Sequence, residues 1–362
     1  HTIEEHGFKA YAVGGCIRDS ILGRNPDDWD ITTSAVPSQI KTFFKRTVDT
    51  GIAHGTVTIM IDKTGYEVTT YRIDGEYEDG RHPKSVEFSD RLVDDLCRRD
   101  FTINAMAYND TDGFVDEFKG LDDLDTKIIR CVGEPELRFT EDALRMMRAI
   151  RFSAQLGFTI DEATWNAIKK LSPSISKISM ERVHVELGKT LMSAHPDYVA
   201  QYSEAGLFAP ILPVIDNALK SRYKRKILAT LQHTPDNIYL RYAALFITST
   251  PDEAAKTLRA LKLDNKTVNT VSKLVELSKM DIEETEPAVR TALNKYGRDF
   301  LTLWHELMMA VIQASEDITG ISNPAKVKHL LTLKRLGTDI LARGDCFTIK
   351  DLDISGNDLI EY

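Results

Sequence analysis

Cysteine is scarce in this 362-residue chain, with four residues at 16, 97, 131 and 346 and no CxxC pair or Cys/His spacing among them. That scatter excludes a disulfide framework and a zinc module, and it points to free thiols in a reducing compartment. The nine histidines form no ligand-spaced cluster. His305-Glu306 lacks the second His of a zinc-protease helix, and no His is followed by Asp, so an HD-type phosphohydrolase centre is missing too. No apolar run approaches the roughly 18 residues of a membrane span, and the start has no signal-like stretch. A cytoplasmic protein without a membrane partner is the expectation. Because the chain begins at His1 without Met, it is expected to be a trimmed form of a longer protein.

The length exceeds what one hydrophobic core usually organises, so at least two domains are expected. A net charge of −9 argues against a nucleic-acid partner if only the total is counted. Local distribution reverses that reading: basic residues crowd at Arg98-Arg99, at Arg145, Arg148 and Arg151, and in Lys220–Lys226. For the 220–226 run, a solvated helix face and an RNA contact are equally good explanations.

Residues 8–14 and 55–73 alternate and are rich in β-branched and aromatic types, which predicts strands, the second stretch folding as a hairpin that turns at Lys63-Thr64-Gly65. Pro37 to Phe44 has helical spacing with Pro near its start. After about residue 134 long helical patterns take over, at 140–155, 161–171, 181–194, 220–232, 237–248 and 251–261, with no internal repeat or low-complexity tract. The fold class is therefore α+β, a mixed head before an all-α remainder.

Three polar clusters carry the chemistry. In the first, GGCIRD at 14–19 precedes DWD at 28–30. Asp28 and Asp30 flank Trp29 on an expected short strand, where period-two geometry turns both carboxylates to one face and suits them to divalent ions that also bind a triphosphate. A lone DxD is weak, since it also reads as a turn. Gly14 and Gly15 change the balance, because glycine lets backbone N–H groups approach phosphate and Arg18 adds a fixed fork of donors. Glu67, on the following strand, is a third acidic candidate, though a solvent-facing strand residue explains it better.

The second cluster is RRDFTINA at 98–105. A helical period there puts Asp100 and Asn104 on one side, with Arg98 and Arg99 offering a donor for triphosphate and Asn104 one for sugar or phosphate. The third is EDALRMMR at 141–148, read as a helix starting near Thr140. Ala143, Met146, Met147, Ile150 and Ala154 form its apolar face, and Asp142, Arg145, Arg148 and Arg151 step along the opposite side. An exposed Asp142–Arg145 pair contributes only a few tenths of a kcal/mol, so stability does not demand it. Held side by side, the two also make a hydrogen-bonding edge: Asp accepts from an exocyclic amine and Arg donates to an unprotonated ring nitrogen. Cytosine and adenine offer that pattern, whereas uracil and guanine offer its inverse.

With these motifs in order, the chain resembles the bacterial CCA-adding enzymes, tRNA nucleotidyltransferases of class II in the polymerase-β-like superfamily, from about Gly7 to Leu212 and more loosely beyond. The resemblance implies a catalytic head at 1–133, a neck with a base-reading helix at 134–196, a body at 197–275 and a tail at 276–362. It also implies untemplated addition of C, C and A to tRNA from CTP and ATP with Mg²⁺. By the same resemblance Asp28 and Asp30 are the metal carboxylates. Gly15, Arg18 and Arg99 hold the nucleotide, Asp142 and Arg145 read the base, and Arg148 and Arg151 lie toward the triphosphate; Asp100 and Asn104 join the nucleotide-binding candidates from the reading of the second cluster.

Two relatives are separated by segments. Poly(A) polymerases carry a GRRF-like segment where this chain has Gly51–Val57, which is similar to CCA-adding enzymes. CC-adding enzymes lack a loop that is complete here at Asp74–Pro83, so A-addition is expected, with an A-adding enzyme as the alternative. A non-catalytic RNA-binding protein on a relic head is the reading from another class, and the retained acids argue against it. Glu117 and Lys119 stand where the family tends to show Pro and Gly, which puts the local turn in question. Asp351–Tyr362 resembles the start of the last tail segment, so an incomplete tail is expected.

Overall fold

Alternating side chains on one polypeptide face build a seven-stranded sheet from β1 (Ala10–Val13), β2 (Asp30–Thr33), β3 (Thr47–Gly51), β4 (Thr56–Ile61), β5 (Thr64–Thr70), β6 (Ala107–Asn109) and β7 (Gly113–Val115). The structure, a computed structural model, describes residues 1–75 and 85–346. Spatial order in the sheet is β3-β4-β5-β2-β1-β6-β7. Only β2 and β5 run parallel, in a register that sets Asp30 beside Glu67. Period two sends Tyr11 and Val13 of β1 into a core with Tyr71, Leu96 and Val132 on one face. On the other face Val57 and Ile59 of β4 meet Val68, Ile40 and Ile3.

The β4–β5 hairpin turns one residue earlier than expected. Its last pair is Ile61 with Thr64, so Asp62 and Lys63 form a two-residue loop, both at positive φ (48° and 70°). Such a loop matches the twist of the strands, and it keeps Val57 opposite Val68 and Ile59 opposite Tyr66 on the buried face.

The chain packs as two compact units. The first comprises His1–Ser179 with Ala205–Leu207, and so contains the whole expected head and most of the expected neck. The second comprises Met180–Glu204 and the chain from Phe208 onward, built from helices such as Met180–Leu191, Ile238–Leu245, Pro251–Ala260, Asn265–Leu277 and Phe300–Thr319. The helix expected at 220–232 begins later, as Lys224–His233, and a separate helix, Pro213–Lys220, precedes it. The Ser221 hydroxyl accepts from the Tyr223 N–H between them, and that local bond competes with helix continuation. In the basic run, Lys220 pairs with Asp216, Lys224 pairs with Glu204 and Arg222 lies over the Tyr223 ring. Among the described residues no helix is long and apolar enough to cross a membrane.

Where the family tends to show glycine, Lys119 sits at φ 59°, in the left-handed region that glycine enters freely. The turn forms nonetheless, because the Asp116 carboxylate accepts from the N–H groups of Gly120 (2.7 Å) and Leu121 (2.8 Å).

Candidate active site

Gly14 ends β1 at φ 84°, and a Cβ there would stand 2.8 Å from Arg99 Nη1. The positive φ favours glycine, and any Cβ there would displace the tip of Arg99. The helix Gly15–Ile21 follows at once and carries Arg18, which is almost fully buried. Its guanidinium spans two partners, donating Nε and Nη2 to the Asp19 carboxylate (2.9 and 2.8 Å) and Nη1 to Asn104 Oδ1 (2.6 Å). Asn104 in turn donates Nδ2 to Asp100 Oδ1 at 3.0 Å. The segment expected to be α-helical is an extended residue followed by a short 3₁₀ turn, Thr102–Asn104, and that turn brings Asp100 and Asn104 together. Asp100 Oδ2 accepts from Arg148 Nε (2.7 Å) and is ion-paired with Nη2 (2.6 Å). Burial alone would raise the Asp100 carboxyl, yet Arg148, Asn104 and Arg145 hold it well below the usual carboxylate range.

The expected helix from Thr140 is broken. Pro135–Glu141 and Leu144–Leu156 are separate helices, and Asp142 between them is extended, with φ −144° and ψ 104°. The Asp142 carboxylate accepts from the Leu144 N–H at 3.0 Å, so the side chain turns back onto the start of the second helix. The apolar face is as read from the sequence, with Ala143, Met146, Met147, Ile150 and Ala154 all buried. The opposite stripe is not a uniform solvated face. Arg151 is buried, with its guanidinium carbon 3.6 Å from the centre of the Phe152 ring, and Arg18 (5.0 Å) and Arg148 (5.3 Å) approach the same ring. The three guanidiniums thus gather around one ring, where Arg18 is paired with Asp19 and Arg148 with Asp100, and donors collected in this way suit a phosphate-bearing ligand.

Arg145 is held from several sides. Nη1 donates to Glu141 Oε2 (2.5 Å) and to the Arg138 carbonyl (3.2 Å), and Nη2 donates to the Arg98 carbonyl (3.0 Å). Beside these groups lies a cavity of about 180 Å³ lined by Arg98, Arg138, Glu141, Cys97 and Asp74.

Asp30 opens β2, and Asp28 lies just before the strand. Burial and the neighbouring Asp28 charge raise the Asp30 carboxyl, Arg99 opposes them, and Glu67 adds to the rise. Two carboxylates that repel one another suit a shared divalent cation. Among the described residues no three His, Cys, Asp or Glu side chains stand in metal-holding geometry. Arg99 reaches toward this pair from the other side, with Nη2 on Asp95 (3.2 Å) and a buried Nε that has no hydrogen-bond partner among the described residues. A buried donor without an acceptor fits an anionic ligand.

Sequence reading missed Asp95, which is completely buried and ties Arg98, Arg99 and Thr32 together. Its spacing of three and four residues before Arg98 and Arg99 on a helix was the available signal. Phe152, the ring under the arginines, and Glu141, the partner of Arg145, were also missed. A cavity of about 610 Å³ in the second unit, near Trp304 and Met308, includes none of the expected site residues. Of the 74–83 loop only Asp74 and Gly75 are described, and 351–362 lies outside the described residues.

Residues 10–130 match the family model of the poly A polymerase head domain, and residues 157–219 match a probable RNA- and SrmB-binding site of polymerase A. A CCA-adding enzyme of Limosilactobacillus reuteri (strain DSM 20016) is 50% identical over 221 residues, 60% of this chain and 54% of that protein. The match thus spans about half the length of that relative. A CCA-adding enzyme of Streptococcus suis (strain 05ZYH33) is 39% identical over 340 residues, covering 91% of this chain and 81% of its own length. Among solved structures, the Bacillus stearothermophilus CCA-adding enzyme in complex with CTP aligns with TM-score 0.77 at 33% identity, over 100% of this chain and 85% of that one.

Proposed function

The chain belongs to the CCA-adding enzymes, and from that premise we propose that it adds C, C and A to tRNA 3′ ends without a nucleic-acid template, using CTP and ATP and releasing pyrophosphate. The observation that carries this reading is the hydrogen-bonded chain from Arg18 through Asn104 and Asp100 to Arg148, with Arg99, the residue before Asp100, acting electrostatically on Asp30. Asp28 and Asp30 would hold Mg²⁺, with Glu67 beside them. Such ions would supply Lewis-acid chemistry there, lowering the pKa of the attacking 3′-hydroxyl and offsetting charge on the pyrophosphate leaving group.

The remaining roles belong to the chain itself. Gly14 and Gly15 let the main chain come close to phosphate, and Arg18, Arg99, Arg148 and Arg151 supply the positive field that orients the triphosphate. Asn104 and Asp100 hold Arg18 and Arg148 in place. Asp142 and Arg145 form the base-reading edge, which requires Asp142 to exchange its cap to Leu144 for the amine of an incoming cytosine or adenine. A reducing cytoplasmic setting accords with the free cysteines.

The test is one gel with labelled tRNA lacking its 3′ end. Two additions with CTP and a third only once ATP is present are expected. Extension of a CC end by ATP alone would mark an A-adding enzyme, long ATP tails a poly(A) polymerase, and no extension a non-catalytic RNA binder. Asp28→Ala should abolish extension and leave tRNA binding largely intact.

A further inference from the structure

We propose that Asp95, which touches no substrate, is the positioning residue that sets the triphosphate-holding and base-reading arginines from a single carboxylate. This rests on the nucleotidyl-transfer reading above. Asp95 belongs to the helix Leu92–Cys97 and is fully buried. Its two oxygens divide the work. Oδ1 accepts twice from Arg98, from Nε at 3.0 Å and from Nη2 at 2.6 Å. Oδ2 accepts from Arg99 Nη2 at 3.2 Å and from Thr32 Oγ1 at 3.1 Å.

Each branch leads to a different part of the site. Through Oδ1, the carboxylate fixes Arg98 at the end of its helix, and the Arg98 carbonyl is one of the acceptors that hold Arg145. Through Oδ2, it fixes Arg99 against the Gly14 turn and ties it to β2, the strand that Asp30 opens. Burial by itself would raise the Asp95 carboxyl, but Arg98 and Arg99 keep it lowered, so the group stays an anion. A buried anion between two guanidiniums holds its donors at fixed angles, and a neutral amide of the same size cannot satisfy both.

The device is separable, which makes it testable. Arg98→Ala removes the Oδ1 branch and should reduce discrimination of CTP over UTP by about tenfold, with KM for CTP little changed. Arg99→Ala removes the Oδ2 branch and should raise KM for CTP by about tenfold, with discrimination preserved. Asp95→Asn should show both effects, and Asp95→Glu should recover part of each. Thermal melts of every variant identify loss of fold, which lowers the active fraction without altering the CTP/UTP ratio or KM. If Asp95→Asn melts cooperatively with both quantities within about twofold of the parent, the assignment is overturned. Should Asp95→Asn fail to fold, the two arginine variants decide alone, and identical effects from both would overturn it. An inactive parent would instead defeat the nucleotidyl-transfer reading.

Discussion

Asp100 and Arg148 meet at one carboxylate oxygen, which accepts from Nε at 2.7 Å and stands 2.6 Å from Nη2 in an ion pair, across 48 positions of sequence. Asp100→Asn should lower stability by about 1.5–3 kcal/mol, the range for hydrogen bonds to charged groups, and raise KM for both nucleotides. Folding lowers the Asp100 pKa, so its stabilisation is fully present above the unfolded carboxyl value of about 3.9 and fades only as pH falls through the lower folded value. Urea titrations of parent and variant should therefore differ by a constant amount from pH 7 down to about 4.5 and converge below that.

Asp30 has the opposite sign. Folding raises its pKa, so its contribution is present at low pH and is lost as pH rises through the folded value. In EDTA at pH 7, Asp30→Asn should melt higher than the parent. Mg²⁺ should then raise the melting temperature of the parent and not of the variant. Incorporation should fall below about one-hundredth of the parent rate, because loss of an outer-sphere partner alone can cost that much.

Arg145→Ala should cut the preference for CTP over UTP, and for ATP over GTP, by about 10²-fold or more. Single-nucleotide incorporation assays with each of the four triphosphates measure this directly, and an unchanged preference would remove Arg145 from base selection.

At Phe152 the ring matters beyond its volume. Phe152→Leu retains most of the apolar bulk and gives up a cation–π contact to Arg151 worth about 0.5–2 kcal/mol. Cooperative melting with a raised KM for CTP and ATP and a nearly unchanged kcat is the expected outcome. Steady-state kinetics with either nucleotide will separate the two constants.

Lys119→Gly should stabilise the first unit by about 1 kcal/mol, since the lysine occupies left-handed backbone space. Chemical denaturation at neutral pH checks the sign.

The parts of the site that depend on local chemistry were legible in the sequence. The turn at Gly14 and the buried face of Met146, Met147 and Ile150 follow from residue type and spacing, whereas Asp28 lies before β2 and so outside the period-two reading of the DxD pair. Less legible were places where a polar side chain overrules periodicity. Asp142 bends back to its own backbone and splits one expected helix, and a two-residue loop at Asp62-Lys63 replaces the expected turn at Lys63-Thr64-Gly65. Asp95 was hidden for another reason: within Asp94-Asp-Leu-Cys-Arg-Arg-Asp100 an acid reads as surface charge, and only tertiary packing shows that it is enclosed. Phe152 likewise reads as ordinary core until three guanidiniums are seen around it.

The position of β2 between β1 and β5 has a kinetic consequence. Edge strands such as β3 and β7 lose amide protection by fraying, whereas an interior strand exchanges only when its neighbours on both sides let go. The amides of Ile31–Thr33 should be among the slowest in the molecule to take up deuterium, so the carboxylate of Asp30 rides on a support that opens only in rare, cooperative events.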